Sequence, residues 1–100
     1  MQPNMRMLQQ MQNRIVKMQE ELGNTVVEGT AGGGMVTATV NGLKAVQGIK
    51  IDPEAIDPTD TEILEDMIVA AINDAMTKAE EMASDRMSAI TGGIKIPGLM

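Results

Sequence analysis

Of the 100 residues none is Cys, His, Phe, Trp or Tyr, and only four are Pro. Without Cys there is no disulfide framework, no thiol nucleophile and no iron–sulfur ligation. Without His as well, the usual zinc sites are excluded, and acid–base chemistry is left to Asp, Glu and Lys. Without aromatic rings there is no platform for stacking the bases of single-stranded nucleic acid, which also argues against an RRM-type RNA reader. No run approaches the roughly 20 apolar residues of a membrane-spanning helix. Arg6, Gln9, Gln10, Gln12, Asn13 and Arg14 interrupt any signal-peptide core. The expectation is a soluble cytoplasmic protein with no membrane partner.

What is present is soft. Hydrophobic residues make up 43% of the chain, an ordinary share, but eleven residues are Met, whose flexible side chains fill irregular space and repack easily. The length fits one domain, residues 1–100, with a modest core. The net charge of −6 is unevenly spread. Residues 1–50 hold five Lys/Arg and three Asp/Glu, whereas residues 51–100 hold three and eleven. The first three charges, Arg6, Arg14 and Lys17, are all positive. That split fits one end meeting phosphates while the other repels them, and equally a merely polarised solvated surface.

Periodicity predicts a helix over 4–22, with Leu8, Met11, Ile15, Met18 and Leu22 on one core-facing stripe and Arg6, Gln10, Asn13 and Lys17 opposite. Gly23-Asn24 reads as its stop, since both tolerate a left-handed residue. Strands are predicted at 25–30, 35–40 and 44–51. In the second, Val36, Ala38 and Val40 alternate with Met35, Thr37 and Thr39. Asn41-Gly42 reads as a type I′ hairpin turn with positive φ at both residues. Thr59 and Glu62 have capping-box spacing for a helix over 59–90, with Leu64, Ile68, Ala71, Ile72, Ala75, Ala79, Met82 and Ala83 on one face. Residues 92–100 read as a loose tail.

These elements make an α+β subunit of α-β-β-β-α order: a three-stranded antiparallel sheet with two helices. A helix of about 30 residues is about 45 Å long, whereas a compact 100-residue domain has a radius of gyration of about 13 Å. The long C-terminal helix is therefore expected to project, leaving an apolar stripe and open sheet edges for a second copy to cover in a homodimer.

Few constellations carry chemistry. Ala31-Gly32-Gly33-Gly34 lacks the phosphate-loop pattern and leads into a strand, so it reads as a turn. Asp52, Glu54, Asp57 and Asp60 lack the glycine of a calcium loop and read as capping acids. Glu65/Asp66 and Glu80/Glu81 have no nucleophile or metal ligand beside them in sequence. No enzyme activity, cofactor or metal is expected. Arg6, Arg14 and Lys17 sit among Gln9, Gln10, Gln12 and Asn13, and guanidinium and amide groups can both contact phosphates and base edges. An ordinary polar helix face accounts for the same residues.

With these residues in view, the chain resembles the YbaB/EbfC family of bacterial nucleoid-associated proteins. The resemblance rests on Met18-Gln19-Glu20-Glu21-Leu22, Val27-Glu28-Gly29, Ala31-Gly32-Gly33-Gly34-Met35-Val36, Val40-Asn41-Gly42 and Ile49-Lys50-Ile51-Asp52-Pro53. It continues through Glu62-Ile63-Leu64-Glu65-Asp66, Ala70-Ala71-Ile72-Asn73-Asp74-Ala75 and Gly92-Gly93-Ile94-Lys95-Ile96-Pro97-Gly98. It implies a homodimer with protruding, tweezer-like helices that binds duplex DNA in the nucleoid and affects its organisation or gene expression. It places DNA contacts on the helices, which here favours Arg6, Asn13, Arg14 and Lys17, with Lys78 and Arg86 as further candidates. Many members carry a longer glycine- and lysine-containing N-terminal extension; this chain starts nearly at the helix, from which weaker DNA affinity is expected. The alternative is a protein-interaction adaptor for recombination or replication factors, motivated by the Met-rich stripes.

Overall fold

The computed structural model describes residues 5–91. The elements follow in the expected order: α1 (Met5–Gly23), β1 (Val26–Ala31), β2 (Val36–Asn41), β3 (Val46–Ile51) and α2 (Thr61–Thr91), with a 3-10 turn at Pro53–Ala55. The strands form one antiparallel meander with β2 at its centre. The expected helix start at Asn4 and the tail 92–100 lie outside the described residues.

The alternation along β2 decides which face is inward. Val36, Ala38 and Val40 are fully buried, while Thr37 and Thr39 are half-buried on the other side. Gly29 pairs with Ala38 and Val27 with Val40, and directly paired residues share a face. Across the other ladder Ile49 pairs with Ala38 and Ile51 with Val36. Thr39 faces Gly48 and Val40 faces Val46, which leaves Gln47 as the extra residue of a bulge.

Helix α2 packs on this inner face over β1 and β2, not over β3. Its contact ridge is Ala71, Ala75 and Ala79, each fully buried, flanked by Leu64, Met67, Ile68, Ile72 and Met76. The ridge is small because the helix sits very close. A Cβ at Gly29 would run into the Ala71 carbonyl and the Ala75 amide nitrogen, and would come 2.8 Å from Ala75 Cα. Only glycine leaves that space. Closeness also lets polar side chains of α2 reach the backbone of the edge strand. Asp74 Oδ2 accepts the Thr30 N–H at 3.0 Å, and Lys78 Nζ donates to the Glu28 carbonyl at 3.0 Å. The two side chains form an ion pair at 3.3 Å. The Thr30 N–H, then Lys78, holds the Asp74 carboxyl below its ordinary value.

Several turns differ from the sequence expectation. Asn41 and Gly42 do not adopt positive φ; the left-handed residue is Lys44, at φ 66. The hairpin closes through Lys44 N–H to Asn41 O and Asn41 N–H to Ala45 O, both 3.0 Å. This is a three-residue loop with a left-handed third position, so β3 starts at Val46 instead of residue 44. Gly42 is required by packing, since a Cβ there would lie 2.8 Å from both Leu22 Cδ2 and Met82 Cε. Helix α2 begins at Thr61, not at 59, because Thr59 is drawn into the preceding turn, its N–H and hydroxyl both donating to Asp57 Oδ1. Residues 32–35 form the turn between β1 and β2, in which Gly32, Gly33 and Gly34 all have positive φ; Ala31 still belongs to β1, and β2 starts at Val36, not at residue 35.

The molecule is elongated, 66 × 23 × 16 Å, with a radius of gyration of 18.3 Å. It exposes 7330 Å², against about 5,500 Å² for a compact monomer of this mass. Its largest fully buried side chains are only Val36 and Val40.

Two outcomes follow from the close seating of α2. Gly29→Ala lowers the urea midpoint by the equivalent of ~1–3 kcal/mol or more, because backbone must move to admit the methyl; an unchanged midpoint would show that the helix is not so close. Because folding depresses the Asp74 pKa, its contribution is fully present above the ordinary carboxyl value near pH ~4 and is lost as pH falls through the depressed one. In Asp74→Asn, stability measured by urea at successive pH values therefore falls less steeply on the acid side than in wild type.

Candidate nucleic-acid interface

Helix α1 is bound to the sheet at one end. An α-helix leaves its last four carbonyls without internal partners, and here all four are satisfied. Glu20 O accepts from the Asn24 side-chain amide at 3.1 Å, and Glu21 O accepts from the Thr25 hydroxyl at 2.7 Å. Leu22 O accepts from Gly42 N–H at 2.8 Å, and Gly23 O from Asn41 Nδ2 at 3.2 Å. Neither Gly23 nor Asn24 is left-handed. The expected left-handed stop is thus replaced by side-chain and hairpin caps. Asn41, 7% exposed, also accepts from Leu43 N–H at 3.0 Å and Ala45 N–H at 2.9 Å. One buried amide therefore shapes the β2–β3 turn and ties it to the end of α1.

From this anchor α1 runs antiparallel to the last part of α2. Met18 and Leu22 are buried near the sheet. Further out, Arg86 Nη1 meets Glu21 Oε2 at 3.5 Å, and Met7, Gln10, Met11, Arg14 and Ile90 line a shallow cleft between the helices. The outer half of the predicted core stripe is not covered: Leu8 is 48% and Met11 42% exposed. The stripe is core-facing only where the sheet hairpin and Met82 lie beneath it.

The basic candidates divide into two groups. Arg6, Asn13 and Lys17 project from the exposed side of α1, with Arg14 at its margin beside the cleft. Gln10, which the sequence places on the same side, completes a row Arg6-Gln10-Asn13-Lys17 at spacings of 4, 3 and 4 and, like Arg14, also borders the cleft. Among the described residues, Arg6, Arg14 and Lys17 are in no ion pair. Lys78 and Arg86 are instead paired at the surface of the subunit, with Asp74 and the Glu28 carbonyl in one case and with Glu21 in the other. The structure does not bring them into the α1 row. Such exposed pairs are worth only about 0–1 kcal/mol, so a phosphate can compete for either cation.

Charge is also sorted along the long axis. Of the acids on α2, Glu62, Glu65, Asp66, Asp74, Glu80 and Glu81 precede Met82, and only Asp85 lies beyond it. The sheet-covering stretch of α2 is acidic; the projecting two-helix arm carries Arg6, Arg14, Lys17 and Arg86 against Glu20, Glu21 and Asp85, with the three α1 cations toward its outer part. Among the described residues no group of three or more acids could hold a metal ion. Two of the suspected calcium-loop acids cap turns: Asp52 Oδ1 accepts the Glu54 N–H, and Asp57 is held below the usual carboxylate range by the Thr59 hydroxyl and N–H. Among the described residues no helix is long and apolar enough to cross a membrane.

Comparison with known proteins gives consistent matches. The family model described as the YbaB/EbfC DNA-binding family matches residues 1–94. A nucleoid-associated protein of Chloroflexus aurantiacus is 54% identical over 91 residues, covering 91% of each chain. One from Pelotomaculum thermopropionicum is 52% identical over 95 residues, covering 95% of this chain and 90% of that one. An uncharacterized Helicobacter pylori protein of known structure superposes with a TM-score of 0.77 at 23% identity, over 91% of this chain and all of that one. That likeness speaks for the fold alone.

The arm depends on its buried amide. Asn41→Ala deprives the Leu43 and Ala45 N–H groups and the Gly23 carbonyl of partners, and is expected to cost ~1–3 kcal/mol in urea unfolding. A loss below ~0.5 kcal/mol would mean that the hairpin and helix end hold without it.

Proposed function

The chain belongs to the YbaB/EbfC DNA-binding family, and from that premise we propose that it is a homodimeric, non-enzymatic protein that binds duplex DNA in the bacterial cytoplasmic nucleoid through the exposed face of α1. The observation that carries this reading is the row Arg6-Gln10-Asn13-Lys17, with Arg14 beside it. Its cations are unpaired within the described residues, and it lies on the arm farthest from the acids of α2. Guanidinium and ammonium groups neutralise phosphates; the amides add contacts to backbone or base edges. The bulk of the acidic sheet end repels the duplex, so the arm is the end that approaches.

A second copy doubles the three cations. Six phosphate contacts give a salt dependence with a log–log slope of about −5. Lys78 and Arg86 join only by giving up their internal carboxylates, and so contribute less than the α1 row. Binding of this kind tracks the backbone with limited sequence discrimination and needs no cofactor. Effects on nucleoid organisation or gene expression follow from where and how densely it binds.

The exposed apolar side of α1, with Met5 82%, Leu8 48% and Met11 42% exposed, favours a second reading: an adaptor that docks on recombination or replication proteins. Fluorescence anisotropy of labelled duplex DNA at several salt concentrations separates the two. The DNA reading predicts steep weakening with salt, and loss of most binding in the Arg6→Ala/Arg14→Ala/Lys17→Ala variant. A flat salt response, or no binding by folded wild type at low salt, would overturn it in favour of the adaptor.

A further inference from the structure

One asparagine is set apart by its neighbour. Of Asn4, Asn13, Asn24, Asn41 and Asn73, only Asn41 precedes a glycine. An asparagine loses its side-chain ammonia when the backbone nitrogen of the next residue attacks the side-chain carbonyl carbon. Glycine has no Cβ to shield that nitrogen or to restrict the turn the attack requires. An Asn-Gly pair in an open surface turn is therefore exposed to this chemistry.

Here both reacting groups are occupied. Asn41 is 7% exposed and Gly42 is buried beside it. The Asn41 side chain is held at both ends: Nδ2 donates to Gly23 O at 3.2 Å, and Oδ1 accepts from the Leu43 and Ala45 N–H groups at 3.0 and 2.9 Å. The attacking nitrogen is tied as well, because the Gly42 N–H is shared between Leu22 O at 2.8 Å and Thr25 O at 3.0 Å. Leu22, Gly23 and Thr25 all belong to the end of α1 or the chain just after it. One motion, separation of that end from the β2–β3 turn, thus frees the nucleophile and the leaving amide together.

We propose that Asn41-Gly42 is a latent deamidation site, held off by the joint between α1 and the hairpin and released when that joint opens. The Gly42 nitrogen bonds to Asn41 Cγ, the Cγ–Nδ2 bond breaks, and ammonia leaves with the Gly42 proton. Water then opens the cyclic imide to aspartate or isoaspartate; no cofactor or oxidant enters. The product keeps the joint open. An aspartate at 41 still offers an oxygen to Leu43 and Ala45, but where Nδ2 donated, the ionised carboxylate sets an acceptor against the Gly23 carbonyl with no proton between them, a costly arrangement in a buried place. Isoaspartate adds a backbone methylene to the turn and fits less well still. Opening permits the reaction, and the reaction prevents closing, so the modification records each lasting release of the arm.

Peptide mass mapping of the full chain in mildly alkaline buffer tests this, with the other asparagines as internal references. In the folded chain Asn41 is expected to deamidate ~100-fold or more slowly than in the same chain held in urea, as several buried hydrogen bonds opened together imply. Leu22→Ala removes the side chain seated against Gly42 and is expected to raise the native rate by ~10-fold. Val36→Ala, at the fully buried opposite end of β2, is the control for general destabilisation and is expected to raise it far less. Equal rates in buffer and urea, or equal rises in the two variants, would overturn control by the joint. In Asn41→Asp, hydrogen exchange around Met18 and Leu22 is expected to quicken while the Leu43 and Ala45 amides stay slow; wild-type exchange in α1 would overturn the locking step. The rate measurements decide the proposal even where Asn41→Asp does not fold.

Discussion

The contact on which the structure depends is the seating of α2 against β1 at Gly29. A helix normally stands off a sheet by the length of its side chains. Here glycine on the strand and alanine at 71, 75 and 79 on the helix let backbone approach backbone. Two consequences follow. The core is thin, with valine as its largest fully buried side chain, so each contact carries a large share of a marginal total. And α2 is near enough for Asp74 and Lys78 to reach the backbone of β1, so one close contact both assembles the subunit and closes one of its two edges. A larger residue at position 29 would lift the helix and unmake both.

The elements were legible where one local rule governs them. The alternation of Val36, Ala38 and Val40 with threonines gave the inward face of β2, and the Ala-rich stripe of α2 gave its sheet-facing ridge. The sequence was misleading where a residue serves a distant neighbour. Gly42 has the look of a hairpin glycine chosen for its backbone freedom, yet its constraint comes from Leu22 and Met82. Gly23 has the look of a left-handed helix stop, yet its carbonyl is held by Asn41, 18 residues away. Thr59 has capping spacing, yet Asp57 takes both its donors. At Gly42 and Gly23 turn chemistry named the correct place and the wrong cause, because the deciding partner is not local; at Thr59 a competing local turn moves the helix start to Thr61.

The same distinction runs through the candidate interface. The α1 row was readable because it lies on one helix and obeys one period. The Lys78–Asp74 pair has the local i,i+4 spacing, but the contacts of Lys78 with the Glu28 carbonyl and of Arg86 with Glu21 were not readable, since those partners lie 50 and 65 positions away. The net charge of −6 did not suggest nucleic acid, although its uneven spread along the chain fitted one phosphate-facing end. Only the fold shows that the acids of α2 before Met82 gather over the sheet while Arg6, Arg14 and Lys17 lie on the arm.

That sorting makes acidity useful to a DNA-binding protein. Exposed charges act over roughly a Debye length, about 8–10 Å at ordinary ionic strength, and the molecule is 66 Å long. The acids at the sheet end would therefore do little to weaken the proposed phosphate contacts at the far end of α1. In the proposed mode of binding they act on encounter instead, disfavouring sheet-first approaches of a duplex relative to arm-first ones. A uniformly basic subunit of the same size would bind DNA in any orientation. On the proposed reading this one, with Arg6, Arg14 and Lys17 together on one projecting arm, favours approach by α1.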